Sequence, residues 1–318
     1  MRHVAVDVGH GWVKALADDA TTAKFQALII PAPKSVSLGS FGTSHVWRIN
    51  EKEYYVGEAA SNQGAAPLWG RDKADEDSSA LLAVAIASLK CEDLIHLAVG
   101  LPLSWYATKA KDLRKTLLSS EWDVSSPDGT NFKWKISDVL VAPQGVAAAI
   151  PALANAAVGN WLVVDIGWRT TDYVIGQITD NHEMDVDPSS AGTIEIGMRY
   201  FYERVARQIE AVYDVPMTAE TVGDQTEIVI RGKKVSLVAM RSDWKSILAA
   251  QLERQINAKL ENRIHQISGT VLVGGGAAEL QSSWPTDVIV PDDPQTANVR
   301  GFLAALNGCR CASQQVGA

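Results

Sequence analysis

The stretch VVDIGWRTTDYVIG, from Val163 to Gly176, decides how this chain is read. An apolar run (Trp161, Leu162, Val163, Val164) drives into Asp165 and Gly167, passes through Trp168, Arg169, Thr170, Thr171 and Asp172, and turns apolar again. Such an interruption in a strand destined for burial needs a chemical reason. The chain opens on nearly the same design: HVAVDVGHGWVKAL, residues 3–16, is a strand followed by Asp7, Gly9, His10, Gly11 and then Lys14. A third glycine turn, GTVLVGGGAAEL, follows an apolar strand at Gly274, Gly275 and Gly276.

Working outward, Trp12 to Ala17 reads as a strand returning on residues 3–8, and 44–57 as a second hairpin turning near Asn50–Lys52. Residues 61–79 form a polar loop whose acidic cluster suits a helix N-terminal region, where carboxylates are favoured. Leu81 to Leu89 is a helix, and 95–103 a buried strand broken by Gly100 and Pro102. Ser104 is positioned to cap the next helix, marked by Tyr106, Ala110, Leu113 and Leu117. A turn falls at Asp128-Gly129, and Gln144 to Val158 reads as an Ala-rich helix that Pro151 ends or kinks. The second half repeats the plan: strand, turn and strand over Val163–Ile178, a helix from Met198 to Val212, a hairpin turning at Arg231-Gly232-Lys233, and a long helix from Trp244 to Leu260. Two α/β halves, each opening on a strand that ends in D-x-G, imply a duplicated architecture. The expected domains are 1–158 and 159–296, with 297–318 packing back on the first and a cleft between the two.

Composition narrows the function. With 29 Lys+Arg against 37 Asp+Glu, the net charge of -8 argues against a surface that coats nucleic acid, which needs clustered cations. Any DNA would be reached through a partner protein. Cys91, Cys309 and Cys311 cannot build a disulfide framework and read as reduced thiols. No secretory leader is visible, and no window approaches the ~18 continuous apolar residues of a membrane span. A cytoplasmic protein is expected. Of the ten tryptophans, Trp12 and Trp161 read as core; Trp47, Trp69 and Trp284 sit in loop-like contexts, where burial is favoured over a subunit contact. No pair of histidines has metal-ligand spacing.

Glycine turns let backbone N–H groups approach an anion, and adjacent amides make an anion-binding nest. Asp7 and Asp165 cannot meet phosphate directly, but they suit a Mg²⁺ that keeps several waters and bridges carboxylates to phosphate oxygens. Lys14 supplies a point charge for the β-phosphate, and Thr170 and Thr171 add hydroxyls facing the γ-phosphate. His10 is either a phosphate donor or an ordinary turn residue.

These segments, in this order, resemble the actin-like ATPases, within the group shared by actin, DnaK-type chaperones and sugar kinases. DVGHGWVKAL is similar to the first phosphate segment of that group, VVDIGWRTTDYVIG to the second, and VLVGGGAAEL to the adenosine segment. VAPQGVAAA (141–149) and PQTANVRGFLAAL (294–306) are similar to its two connecting helices, and the ANVRGF ending most resembles the ParM/StbA-type plasmid-segregation actins. The resemblance implies an actin-like (ribonuclease H-like) duplicated two-domain α/β fold with a nucleotide cleft. It implies ATP, with GTP left open, and Mg²⁺ held by Asp7 and Asp165 through water. Gly274, Gly275 and Gly276 would lie against adenosine and its α-phosphate, and Gln144 would orient the attacking water. Asp172 would polarise that water or hold Mg²⁺, or else is a strand-edge carboxylate. The implied function is a polymerising ATPase that forms head-to-tail filaments and moves plasmid DNA through a ParR-type adaptor, with no direct nucleic-acid contact and no membrane. A small-molecule kinase, or another non-filament ATPase of this fold, is the competing reading. The family's second segment carries glycines where Trp168 and Arg169 stand here. Arg169 therefore either reaches the γ-phosphate or points outward, the outward reading being slightly favoured.

Overall fold

A computed structural model describes residues 1–32, 45–65, 75–91, 93–154, 156–181 and 184–308. The described chain divides into two units, Met1–Pro151 joined by Thr296–Gly308, and Ala152–Gln295. The first holds β1 (Arg2–Val8), β2 (Trp12–Ala17), β3 (Thr22–Gln26), β4 (Ile29–Pro31), β5 (Val46–Ile49), β6 (Lys52–Val56), α1 (Glu58–Asn62), α2 (Glu76–Ser88), β7 (Asp93–Leu101), α3 (Leu103–Leu118), β8 (Trp122–Ser125), β9 (Asn131–Pro143) and α4 (Val146–Ala152). The second holds β10 (Gly159–Ile166), β11 (Thr171–Ile178), β12 (Met184–Val186), β13 (Gly192–Ile194), α5 (Met198–Tyr213), α6 (Ala219–Val222), β14 (Glu227–Ile230), β15 (Lys233–Ser236), α7 (Val238–Leu260), β16 (Ile267–Val273), α8 (Ala277–Leu280) and β17 (Val288–Ile289). The chain then returns to the first unit as α9 (Ala297–Leu306).

The duplication is visible in the strand orders. The first sheet contains β3-β2-β1-β7-β9 and the second β12-β11-β10-β16-β17. In each, an antiparallel hairpin (β1–β2, β10–β11) feeds a strand that pairs in parallel with the next (β1–β7, β10–β16). The first sheet extends further through β8, β5, β6 and β4, and β14–β15 stands as a separate hairpin in the second unit.

Strand alternation sorts the first sheet's faces. Val4 and Val6 of β1 and Leu97 and Val99 of β7 join the main core with α2, whereas Ala5, Ala98 and Ala142 meet Ala147, Val299 and Phe302 on the other face. Small side chains on that second face let α9 lie close against the sheet. Gly301 carries this to the limit, since a Cβ there would stand 1.8 Å from the Ala147 carbonyl oxygen of α4. In the second unit α5 buries Phe201, Val205 and Ile209, and α7 buries Leu248, Leu252 and Ile256, in one core with Leu162 and Val164 of β10.

Several local expectations meet the structure directly. Asp75 caps α2 by accepting the Ser78 N–H at 2.7 Å, and Glu76 and Asp77 fill its first turn. Ser104 does not cap α3. That helix starts one residue earlier, at Leu103, and its N-cap is Pro102, which has no side-chain acceptor to offer. The Ala-rich helix is only Val146–Ala152, with Pro151 in its closing turn. Trp284 is buried in the second core, while Trp47 packs half-buried against the first. Trp69, Cys309 and Cys311 lie outside the described residues.

Candidate functional site

In the first unit, the β1–β2 turn is tight because the Gly9 N–H donates to Trp12 O at 3.1 Å, and a Cβ on Gly9 would stand 2.7 Å from that oxygen. His10 is half-buried within the turn. Gly11 uses its carbonyl to accept from Ala27, and its N–H makes no hydrogen bond among the described residues. Hairpin register sets Asp7 opposite Lys14, so both side chains share one face. Asp7 is 3% exposed, with one carboxylate oxygen 3.1 Å from Lys14 Nζ. The other oxygen accepts from Gln144 Nε2 at 2.8 Å. Lys14 is thus first the counter-ion of a buried carboxylate, with further N–H donors left for a phosphate.

Gln144 sits in the turn from β9 to α4. Its backbone N–H donates to Leu101 O at 2.8 Å, and Gly145, at φ 76°, donates to Asn298 Oδ1 of α9 at 2.9 Å. The side-chain nitrogen is committed to Asp7, so the carbonyl oxygen, Oε1, is the end left to accept from a water. Asn298 escaped the sequence reading as an individual residue, although the segment that carries it had been marked.

The second unit answers the question raised by Trp168 and Arg169. No residue from Gly167 to Thr170 has positive φ, so nothing in the turn demands glycine. The carbonyls of Gly167 and Trp168 accept from the N–H groups of Met198 and Arg199, at 3.0 and 2.8 Å, and so cap the start of α5. Gly197 permits this approach, because a Cβ there would meet Gly167 O at 2.6 Å. With the carbonyls turned to the helix, the backbone N–H groups of Trp168, Arg169 and Thr170 make no hydrogen bond among the described residues. Consecutive unpaired amides are the arrangement that binds anions. The bulky side chains lead elsewhere: the Trp168 ring stacks on Tyr202 with centroids 5.4 Å apart, and Arg169 lies 3.5 Å from Glu195.

The two threonines separate. Thr170 is half-buried, and its hydroxyl makes no hydrogen bond among the described residues. Thr171 is fully buried, and its hydroxyl donates to Ile196 O at 2.8 Å. Its expected role on the γ-phosphate is therefore corrected: strand pairing with β13 turns that hydroxyl into the protein.

Asp165 and Asp172 are directly opposite in the β10–β11 register, and both are buried. Like charges so paired repel, and part of the relief comes from the Thr193 hydroxyl, which donates to Asp172. Gly274, at φ 85°, lies close against this pair: a Cβ there would stand 2.2 Å from Asp165 Oδ1. The Gly274 N–H donates to Pro294 O and the Gly276 N–H to Ile166 O, each at 2.9 Å. Only the central residue of the triplet, Gly275, keeps an N–H without a hydrogen bond among the described residues.

No group of three or more His, Cys, Asp or Glu among the described residues could hold a metal by itself. The donor set fits a hydrated Mg²⁺, which takes few carboxylates and fills its shell with water and phosphate oxygens. Repulsion between Asp165 and Asp172 is what such a cation would relieve.

Sequence reading also missed Arg241. Only 3% exposed, it donates to Gly223 O and Gln225 O at 2.8 and 3.0 Å and pairs with Glu279 of α8 at 2.5 Å. The Phe201 and Tyr202 rings flank its guanidinium at 5.2 and 5.5 Å. It ties the helix after the glycine triplet to α7. An arginine within a helical period reads as surface, so no local signal marks it. Among the described residues no helix is long and apolar enough to cross a membrane.

A family model described as the N-terminal domain of actin-like proteins matches residues 5–146, and one described as the C-terminal domain of archaeal, MreB-like actin homologues matches 163–284. An archaeal actin homologue of Thermoplasma volcanium is 24% identical over 332 residues, covering 95% of this chain and 98% of its own. Among solved structures, an archaeal actin homologue in complex with ADP has a TM-score of 0.82 at 20% identity, covering 96% of this chain and 99% of that one. A subunit of a 15-stranded ParM filament from Clostridium botulinum has a TM-score of 0.80 at 22% identity, covering 96% and 98%. The two family models together take in the hairpin turns of both units, and on that ground the chain belongs to the actin-like proteins.

Proposed function

We propose that this protein binds ATP with Mg²⁺ through the phosphate turns of both units, assembles head-to-tail into filaments and hydrolyses the nucleotide. The observation that carries the reading is the row of three unpaired amides at Trp168–Thr170 beside the buried Asp165. The Asp7–Gln144 pair supports it from the first unit. The three amides and the Thr170 hydroxyl would hold the γ-phosphate, Gly11 and Lys14 the β-phosphate, and Gly275 the α-phosphate. Asp7 and Asp165 would hold Mg²⁺ through its waters, and the bound ion would neutralise the β- and γ-oxygens. Asp7 fixes the Gln144 amide, so that Oε1 would accept a hydrogen bond from the attacking water and align it. Preorganised donors of this kind need little rearrangement as charge moves to the leaving oxygen.

The actin homologue solved with ADP and the ParM solved as a filament are the relatives that favour nucleotide binding and self-association for this chain. Nucleotide state would set filament stability through the phosphate turns. The net charge of -8 favours a DNA-binding adaptor of ParR type over direct DNA contact if the cargo is a plasmid. Light scattering beside phosphate release tests the whole. ATP-Mg²⁺ should raise scattering, which EDTA should reverse; a steady release of phosphate with no scattering at any concentration would leave a non-filament ATPase or a kinase in its place.

The threonines give a separate check. Thr171→Val should cost about 1 kcal/mol of stability for the lost hydrogen bond and leave ATP affinity unchanged, whereas Thr170→Val should weaken it. A tenfold loss of affinity in Thr171→Val, read by calorimetric titration, would return that hydroxyl to the phosphate.

A further inference from the structure

The second unit contains a cavity of about 270 Å³ that no phosphate turn lines. Leu162, Ile256, Ile267 and Trp284 form its apolar wall. It lies at the starting end of β16. Ile267 is seven residues before Gly274, about 23 Å along an extended strand, so the cavity is remote from the glycine triplet.

One residue in the lining breaks the pattern of the core. Thr270 pairs with Leu162 of β10 on one side and with Val288 of β17 on the other. Strand alternation puts its side chain on the face of Leu272, which packs with Leu162 in the second core. The residue is 6% exposed, yet its hydroxyl makes no hydrogen bond among the described residues. Thr270 lines the cavity, so a partner for that hydroxyl would sit there. A buried hydroxyl without a partner destabilises a fold. Valine has the same shape and would fill the position without that penalty.

The charged groups of the lining have one sign. Glu253 of α7 and Asp287, just before β17, are carboxylates, and no Lys, Arg or His lines the cavity. Neither makes an ion pair among the described residues. Glu253 is half-buried and accepts from the Thr286 hydroxyl at 3.3 Å. Thr286 is two residues before Val288, the strand neighbour of Thr270, which brings the Glu253 carboxylate to the Thr270 side of the cavity. Asp287 is exposed and adds negative charge at the rim. Carboxylates only accept hydrogen bonds, and a threonine hydroxyl can accept as well.

These groups select their ligand by charge and by polarity. An anion would be repelled. A bare metal ion would meet an apolar wall and too few oxygens, since no group of three or more His, Cys, Asp or Glu could hold one among the described residues. What fits is an apolar body that ends in cationic hydrogen-bond donors. We infer that this cavity is a binding site for a small organic amine, its apolar part against Trp284 and Ile256 and its ammonium on Glu253 and Thr270. The volume lies at the lower end of ligand sites, ~300 Å³, which suits an arylalkylamine and excludes a nucleotide.

Three probes of one shape test this by calorimetric titration into the full chain: 2-phenylethylamine, the anion 3-phenylpropionate and the neutral 2-phenylethanol. The amine should bind saturably, and the other two about tenfold more weakly or not at all, because a charge-assisted hydrogen bond is lost with each. Glu253→Gln, which keeps an acceptor for Thr286, should weaken the amine about tenfold for the same reason. Thr270→Val should weaken it about fivefold with a melting temperature no lower than wild type, whereas a hydroxyl that served the fold would lower it. No saturable binding of the amine, equal binding of the alcohol or the anion, or wild-type affinity in either variant would overturn the site. A Thr270→Val protein that melts well below wild type would do the same. None of these outcomes bears on the phosphate turns, so the proposed ATP chemistry stands or falls separately.

Discussion

Gln144→Ala is expected to cut phosphate release from ATP about a hundredfold while leaving nucleotide affinity within a few-fold. Truncation removes Oε1, whose direction is set by the hydrogen bond that Gln144 Nε2 donates to Asp7 at 2.8 Å. Asp7 keeps Lys14 at 3.1 Å, so its charge stays compensated and the binding groups remain in order. Gln144→Glu gives a signature that a merely structural role would lack. The new carboxyl would face Asp7, and like charges raise the pKa of one of them. Protonated, it can still donate to Asp7 and accept from water; ionised, it must turn away. Phosphate release by this variant should therefore be highest at low pH and fall as pH rises through the raised pKa, while the wild-type amide, which does not titrate, shows no such limb. Wild-type release by Gln144→Ala would end the water-positioning role.

Gly301→Ala is expected to lower the thermal midpoint by roughly 6 °C, a net loss of about 2 kcal/mol. Alanine gains about 1 kcal/mol over glycine inside a helix, so a surface glycine would show stabilisation. Here the added carbon would lie 1.8 Å from Ala147 O and 2.3 Å from its carbonyl carbon, both backbone atoms that no rotamer change can move. Helices α4 and α9 must part, which opens the small core around Ala98 and Phe302 and costs about 3 kcal/mol. Asn298, one turn earlier on α9, holds the Gly145 N–H, so the Gln144 turn should shift as well. Phosphate release should fall together with the melting temperature in scanning calorimetry. A variant that melts at or above wild type would mean the two helices are not in the contact described.

Much of the fold is legible because its signals are local. A strand that ends in D-x-G and returns as a strand is a hairpin by residue type and period, and both such hairpins are found at β1–β2 and β10–β11. Asp75 before an apolar helix is a cap by the same logic. Ser104 failed because a helix start depends on where the preceding strand lets go, and Pro102 takes the cap position.

At the candidate site, residue type was readable and direction was not. The chain alone placed two aspartate-glycine turns, a glutamine after β9 and a glycine triplet after β16 at strand ends, and their order carried the resemblance from which one phosphate chemistry is proposed. It could not say which of two adjacent threonines faces outward, since that follows from the pairing of β11 with β13 and the carbonyl of Ile196. Nor could it resolve Trp168 and Arg169. Only the tertiary structure decided that their side chains lead to Tyr202 and Glu195 while their backbone amides make no hydrogen bond among the described residues. The physical reason is that an anion nest is made by where carbonyls point, and these carbonyls turn away because the start of α5 needs acceptors.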